Sequence, residues 1–283
     1  GNSVVLKPAS DTPLVSLKLV EILLEAGLPP LALSCITGSG ATIGNAICSD
    51  SRVRKISFTG SKEVGEEICR VAGIKKVTME LGSNSPLIVM PDADMERVVK
   101  GTIASGFSNA GQVCISAQRI ITSRKVYADY LDALKDGVES INTGDPLDEG
   151  VRMGPMVRPQ DADRVHEWIT EAVAGGARTL VGGDHSGTMH QATVVADVDP
   201  KMRISCDELF GPAVVLTRFD DIDEAIAMAN DTNYGLSAAI FTQNVQWAMR
   251  FAREVRSGNL HINSGPAFRA DLMPYGGLKD SGM

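Results

Sequence analysis

The feature that most constrains this chain is an alternation. Short apolar runs of strand length are followed, again and again, by longer segments with apolar residues at helical spacing. "SVVLKP" is a strand closed by proline, "TPLVSLKLVEILLEAG" a helix ended by glycine, and "ALSCITG" the next strand. "ATIGNAICS" continues as a short helix, "VRKISFTGS" as a strand and turn, "KEVGEEICRVAG" as a helix and "KKVTMELG" as a strand. Strands separated by helices cannot close as tight hairpins. The order therefore predicts a parallel, doubly wound α/β sheet with ligands beyond the carboxyl ends of its strands.

Past residue 83 the pattern restarts. "SPLIVMPDAD" is a strand and turn, "MERVVKGTIASGF" a helix, and "AQRIITSRKVYADYLDALKDGVES" a strand with a long amphipathic helix. Three further segments follow: "RVHEWITEAVAGGARTLVGG", "AVVLTRFDDIDEAIAMANDT" and "SAAIFTQNVQWAMRFAREVRSGNLHIN". The expectation is two α/β units, residues 1–82 and 83–283.

Composition sets the kind of partner. The chain has 283 residues, 43% hydrophobic and 22% charged, which is ordinary globular protein with room for one large or two medium cores. Its formal net charge of −8 opposes nucleic acid or an anionic membrane as the main partner, since both need a basic face, and leaves small molecules as the default. No run approaches the roughly 18 apolar residues of a membrane span, and "GNSVVLKP" is no signal peptide. Five scattered cysteines without C-x-x-C spacing imply reduced thiols and a cytoplasmic setting, and four histidines without H-x-x-x-H spacing predict no metal site.

Five stretches carry candidate chemistry. In "ISFTGSKEVG", Gly60 permits a tight turn and Ser61 stands where it caps a helix, so that free N–H groups there would receive a phosphate; a plain capped turn has the same sequence. Lys7 ends a strand where a ligand would lie, although most such lysines are simply solvated. In "MELGSNSP", Glu80 closes a strand and Gly82 lets the backbone turn; the carboxylate is a candidate general base, or an ion-pair partner or cap. Cys114 in "FSNAGQVCIS" reads on spacing alone as buried filler as readily as a nucleophile. "CDELFGP" puts Glu208 and Phe210 on a turn entering a strand. "HINSGPAFRADLMPYGGLKDSG" is a glycine-rich loop in which Phe268 and Arg269 stand out, and it either solvates or shapes a pocket.

The order of these motifs is more informative than any one of them. "VVLKPAS", "SFTGS", "MELGSNSP", "GQVC", "DELFGP", "LHIN" and "MPYGGLKDSG" follow one another as in the NAD(P)-dependent aldehyde dehydrogenase superfamily, and the resemblance spans practically the whole chain. It implies that fold: part of a Rossmann-like cofactor domain in residues 1–82, and an α/β catalytic domain in residues 83–283. It implies Cys114 as the nucleophile that forms a thiohemiacetal and then a thioester, and Glu80 as the base that activates the hydrolytic water. Lys7, Ser10, Gly60, Ser61, Gly82, Glu208 and Phe210 match cofactor-binding positions. Ser10 stands where NAD-preferring members carry a glutamate against the ribose 2′-hydroxyl, so NADP is expected to be accepted, with NAD as the other cofactor.

The stretch "FRADLMPYGGLKDSGM" resembles the branch containing lactaldehyde and succinate semialdehyde dehydrogenases, which implies a small-molecule aldehyde whose anionic tail meets Arg269. The alternative is an Arg269 paired with Asp271. Ser83 replaces the usual second glycine of the glutamate motif. The resemblance further implies a homo-oligomer in the full-length form and a segment ahead of "VVLKP" that carries an oxyanion-hole asparagine. Loss of one such donor lowers turnover by about 100- to 1,000-fold. A catalytically inactive fragment or a binding protein on the same scaffold is thus the alternative function, against which Cys114, Glu80 and Glu208 all stand intact.

Overall fold

In a computed structural model that describes residues 1–283, the chain forms two compact units. One is Gly1–Thr59 with Glu63–Thr78, and the other is Gly60–Lys62 with Met79–Met283.

The first unit holds β1 (Val4–Leu6), α1 (Leu14–Glu25), β2 (Leu33–Cys35), α2 (Asn45–Ser49), β3 (Lys55–Thr59), most of α3 (Lys62–Ala72) and the start of β4 (Lys76–Glu80). β1 pairs in parallel with β2, Val4 opposite Leu33 through Leu6 opposite Cys35, and β3 bonds to β4. The short helix expected over "ATIGNAICS" is two pieces. A five-residue π-turn, Gly40–Gly44, is capped by the Ser39 side chain, which accepts from the Thr42 N–H, and it runs into α2. The buried core here is small: Cys48, Ile56 and Ala72, with Val53, Ile68, Val71 and Val77 packed around it. Of the three cysteines in this unit, Cys35, Cys48 and Cys69, only Cys48 is buried. Cys35 and Cys69 are half-buried, because the strand and helix that carry them are covered on one side only.

The second unit is built on a seven-stranded sheet. Its elements are β5 (Ser85–Val89), α4 (Met95–Phe107), β6 (Ala117–Ser123), α5 (Tyr127–Glu139), α6 (Pro159–Ala174), β7 (Arg178–Val181), β8 (His185–Ser186), β9 (Met189–His190) and β10 (Thr193–Ala196). They continue with α7 (Arg203–Cys206), β11 (Ala213–Phe219), α8 (Ile222–Asn230), β12 (Ser237–Phe241), α9 (Val245–Glu254) and β13 (Asn259–Ile262). The strand order is β13-β12-β5-β6-β11-β10-β7, parallel throughout except for β7, which runs antiparallel to β10 at the edge.

Successive residues of the central strands enter two separate cores, as period-two alternation requires. Leu87, Val89 and Ile120 pack with Val98 of α4, Tyr130 and Leu134 of α5, and Val165 and Ile169 of α6. Ile88, Met90, Ile121 and Ile240 pack with Ala225 and Ile226 of α8 and Phe251 of α9. Helices therefore cover both faces of the sheet, which is why β5, β6 and β12 are buried along their whole length and read as unbroken apolar runs. The helix expected over "MERVVKGTIASGF" is α4, started by the Asp94 carboxylate accepting from the Arg97 N–H. The β8–β9 hairpin and the antiparallel edge have two to four residues per strand, too few for periodicity to register. No helix is long and apolar enough to cross a membrane.

Candidate active site

Cys114 sits on a turn the backbone adopts at some cost. Asn109, Ala110 and Gly111 are successively left-handed (φ 51°, 54° and 68°) between α4 and β6. Gly111 is required there, since a Cβ would stand 2.0 Å from the Gly211 carbonyl oxygen. A second turn then closes over the cysteine through the Ser116 N–H, which donates to the Val113 carbonyl at 2.9 Å. The Ser116 hydroxyl donates to the Ser105 carbonyl at 3.0 Å, and the Gln112 side-chain oxygen accepts from the Val157 N–H at 2.9 Å. Ile115 and Ala117, which follow it, are buried, while Cys114 itself is left half-buried at the turn.

Glu80 is held by the far end of the chain. Met79 and Met283 exchange backbone hydrogen bonds, the Leu81 N–H donates to the Ser281 carbonyl at 2.8 Å, and the buried Ser281 hydroxyl donates to the Gly82 carbonyl at 2.7 Å. The same hydroxyl accepts from the Gly235 N–H at 2.9 Å. The backbone on both sides of Glu80 is thus fixed, and its Oε2 is buried with no hydrogen-bond partner. Burial raises the Glu80 carboxyl above its ordinary range, and the charge of Arg269 offsets part of that rise.

These two residues meet over a third that sequence reasoning passes over. The Cys114 sulfur lies 3.4 Å from the Tyr275 hydroxyl, and the Arg269 guanidinium stands over the Tyr275 ring, 5.2 Å from its centroid. Burial, and then the neighbouring Cys114 and Glu80, push the Tyr275 phenol well above its usual value, against the pull of Arg269. Cys114, Glu80, Tyr275 and Arg269 therefore form one cluster. In the sequence Tyr275 is one aromatic in a Pro/Gly loop, and the only cue to it is the Gly276-Gly277 pair that follows. Gly277 admits Ser281 where a Cβ would stand 2.5 Å from the Ser281 carbonyl carbon. Phe268 is placed elsewhere: its ring meets His261 edge-on at 6.1 Å and lines a groove with Lys100, Ser105 and Gly265.

The segment between α7 and β11 brings Glu208 to the same region. Asn84 donates to the Ser205 and Cys206 carbonyls at 3.2 and 2.8 Å; Gln118 donates to the Ile204 and Asp207 carbonyls at 2.9 and 2.7 Å and accepts from the Leu209 N–H at 2.8 Å. Both side chains are buried, so this segment is bolted to β6 and to the residues just before β5. The Glu208 carboxylate accepts from the Ser83 N–H at 2.8 Å and rests on Gly82, where a Cβ would stand 2.1 Å from it. Gly82 is needed for that approach. Phe210, left-handed at φ 47°, keeps 40% of its surface exposed. The Gly60 N–H donates to the Glu80 carbonyl at 3.1 Å, which sets the Gly60–Ser61 turn beside the glutamate's strand. An acceptor carboxylate for a diol beside Gly82 and an exposed flat ring two residues further on, Glu208 and Phe210, fit the nucleoside end of a nicotinamide nucleotide.

In the first unit, the Lys7 ammonium donates to the Pro8 carbonyl at 2.6 Å, and the exposed Ser10 hydroxyl donates to the Gly38 carbonyl at 3.3 Å.

The model of the aldehyde dehydrogenase family matches residues 1–283, and the chain belongs to that family. It is 46% identical over 282 residues to a 3-sulfolactaldehyde dehydrogenase of Priestia aryabhattai, covering all of this chain and 59% of that protein. It is 39% identical to a succinate-semialdehyde dehydrogenase (NADP+) of Escherichia coli, covering 60% of it. Among solved structures, an NAD-dependent aldehyde dehydrogenase of Sinorhizobium meliloti superposes with a TM-score of 0.97 at 36% identity, over 99% of this chain and 57% of that one. The chain thus spans about 60% of the length of the relatives it matches.

Proposed function

We propose that the chain carries the catalytic unit of an NAD(P)-dependent aldehyde dehydrogenase, with residues 1–82 as the C-terminal part of the cofactor domain and 83–283 as the catalytic domain. The observation that carries this reading is the cluster of Cys114 and the buried, partnerless oxygen of Glu80 around Tyr275. The Cys114 thiolate attacks the aldehyde carbon, and the negative charge passes to the carbonyl oxygen, where the Cys114 backbone N–H is a donor. The resulting thiohemiacetal loses its hydride and becomes a thioester. Glu80 then takes a proton from water as that water attacks the thioester; the carboxylic acid leaves and the thiolate is regenerated. A nicotinamide nucleotide, when bound, supplies the acceptor for the hydride. Lys7, Ser10, Gly60, Ser61, Gly82, Glu208 and Phe210 would hold it.

The relatives named above support an aldehyde with an anionic tail, since sulfolactaldehyde and succinate semialdehyde both have one. Arg269 is exposed beside the Cys114 cluster, stacked on the ring that touches the sulfur, and supplies the matching charge. Ser10 supports acceptance of NADP as well as NAD. The five free thiols support a reducing, cytoplasmic setting, and the family resemblance supports a homo-oligomer.

The test is reduced-cofactor absorbance with propanal and with succinate semialdehyde, each with NAD and NADP, for the protein and its Cys114→Ser variant. Turnover is expected with the anionic aldehyde and is lost in the variant. Turnover that survives Cys114→Ser removes this reading. In Arg269→Ala, KM for succinate semialdehyde is expected to rise about tenfold, the scale of one charge-assisted hydrogen bond, with little change for propanal; equal effects on both would remove Arg269 from substrate recognition.

A further inference from the structure

We infer that Tyr275 is a positioning residue for Cys114, donating its hydroxyl hydrogen to the cysteine sulfur and holding that sulfur as a ready thiolate. The inference deepens the dehydrogenase reading and rests on it for its catalytic meaning. It stands on the geometry itself: an oxygen and a sulfur 3.4 Å apart, one on the loop after β13 and the other on the left-handed turn after α4. Either atom is a donor when both are protonated. Once one proton leaves, the pair keeps the other on the group that holds it more tightly. Burial and the neighbouring carboxylate of Glu80 hold the phenol protonated, so the phenol is the donor and the sulfur the acceptor.

The donor is also fixed in place. The Arg269 guanidinium covers one face of its ring, and the residues after it are locked by close backbone approaches: a Cβ on Gly258 would stand 1.8 Å from the Gly276 carbonyl oxygen. The charged and titratable groups that act on this pair are Glu80 from the end of β4, Arg269 from the same loop as Tyr275, and the two partners themselves. Phenylalanine would fill the same space and keep the stacking, but it has no hydrogen to give. The hydroxyl is therefore the part of Tyr275 that acts on the sulfur, and the ring is the part that packs.

The experiment measures alkylation of Cys114 by iodoacetamide across a pH series, read by peptide mass spectrometry, in the protein and in Tyr275→Phe. In this reaction the thiolate sulfur forms a bond to the methylene carbon and iodide leaves, so neither an aldehyde nor a nucleotide is needed. Loss of a hydrogen bond to a charged group is expected to slow alkylation near neutral pH about tenfold and to move the half-maximal pH up by about one unit. Arg269→Lys keeps the charge and loosens the ring, and is expected to shift the profile the same way by less. Exposed Cys206 and buried Cys48 in the same samples report on the fold and are expected to keep their profiles. A Cys114 profile in Tyr275→Phe that overlays the parent's, or one that moves together with Cys206 and Cys48, overturns the inference. Failure of the dehydrogenase reading shows separately, as turnover that does not need Cys114.

Discussion

The two units hold their candidate residues in opposite ways. In the second, Glu80 and Glu208 are placed by buried side chains: Ser281 bridges Gly82 and Gly235, and Asn84 and Gln118 fasten the segment that carries Glu208. In the first, Lys7 and Ser10 each donate to one backbone carbonyl, Lys7 half-buried and Ser10 exposed. The strands differ in the same sense, since β5 is buried at every residue while β1 is mostly exposed. Groups that move protons or form bonds need positions fixed to a fraction of an ångström, and a fixed position needs a second layer of satisfied hydrogen bonds. Groups that bind the far end of a long ligand need reach and charge.

The sharpest test of this difference is Glu80→Gln. A glutamine of the same shape cannot take the proton from water, and turnover is expected to fall by about 100-fold or more, with the first, thioester-forming turnover less affected. The same variant tests the electrostatics of burial. The raised Glu80 carboxyl stays protonated in the fold over a window above its ordinary value, where the unfolded chain is ionised. The folded form binds more protons in that window, so this group's contribution makes stability fall as pH rises through it. Glu80→Gln has no such dependence. In denaturant titrations it is expected to be the more stable protein above the window, with the advantage shrinking as pH falls below it. A constant difference across pH would mean that Glu80 is not buried as described. Turnover of the parent, which needs the ionised base, is expected to fail on the acid side at a higher pH than an ordinary carboxylate would give.

Leu87→Ala probes the frame rather than the chemistry. Leu87 is fully buried in β5 among the residues facing α4 to α6, and its truncation is expected to cost about 2–5 kcal/mol of stability. Midpoints in urea measure it. A smaller loss would place the rigidity of the second unit elsewhere than in its sheet.

Much of this frame is legible in the sequence because the chain states it more than once. Central strands covered on both faces must be apolar at every position, and "SPLIV" and "SAAIF" are nearly so. α4 is legible at both ends because Asp94 caps it and Phe107 closes its apolar spacing. Cys114, Glu80 and Glu208 are recognisable through their flanking motifs, although what brings them together is not: Ser281 lies about 200 residues from Gly82, and no local pattern records a contact that distant. Tyr275 is illegible for the same reason, its partner being 161 residues away. Phe268 stands out as the aromatic of its loop, but whether a loop side chain turns toward a cysteine or toward His261 depends on backbone geometry that spacing does not encode.

Ser10→Glu tests whether the openness of the first unit is functional. The site is exposed, so the fold is expected to tolerate the change, while the new carboxylate repels a 2′-phosphate and accepts from a 2′-hydroxyl. The ratio of kcat/KM for NADP to that for NAD is expected to fall about tenfold or more, as when one charge-assisted hydrogen bond to the 2′-phosphate is broken. An unchanged ratio would take Ser10 out of cofactor choice and leave Lys7 as the first unit's one candidate for holding the nucleotide.

The smallest effect belongs to Val15→Ala in α1. Val15 is 80% exposed, in line with Leu14 at 77% and Leu19 at 52%, so little of its area leaves water on folding and little transfer free energy is lost with it. Alanine is also the better helix former, by a few tenths of a kcal/mol, because valine loses rotamer freedom against the preceding turn. The two effects oppose each other, and the net change in urea titrations is expected to lie within about 0.5 kcal/mol. A loss approaching that of Leu87→Ala would mean that this apolar face of α1 is covered in solution. The contrast between the units would then lie in what each packs against, and no longer in how tightly each is built.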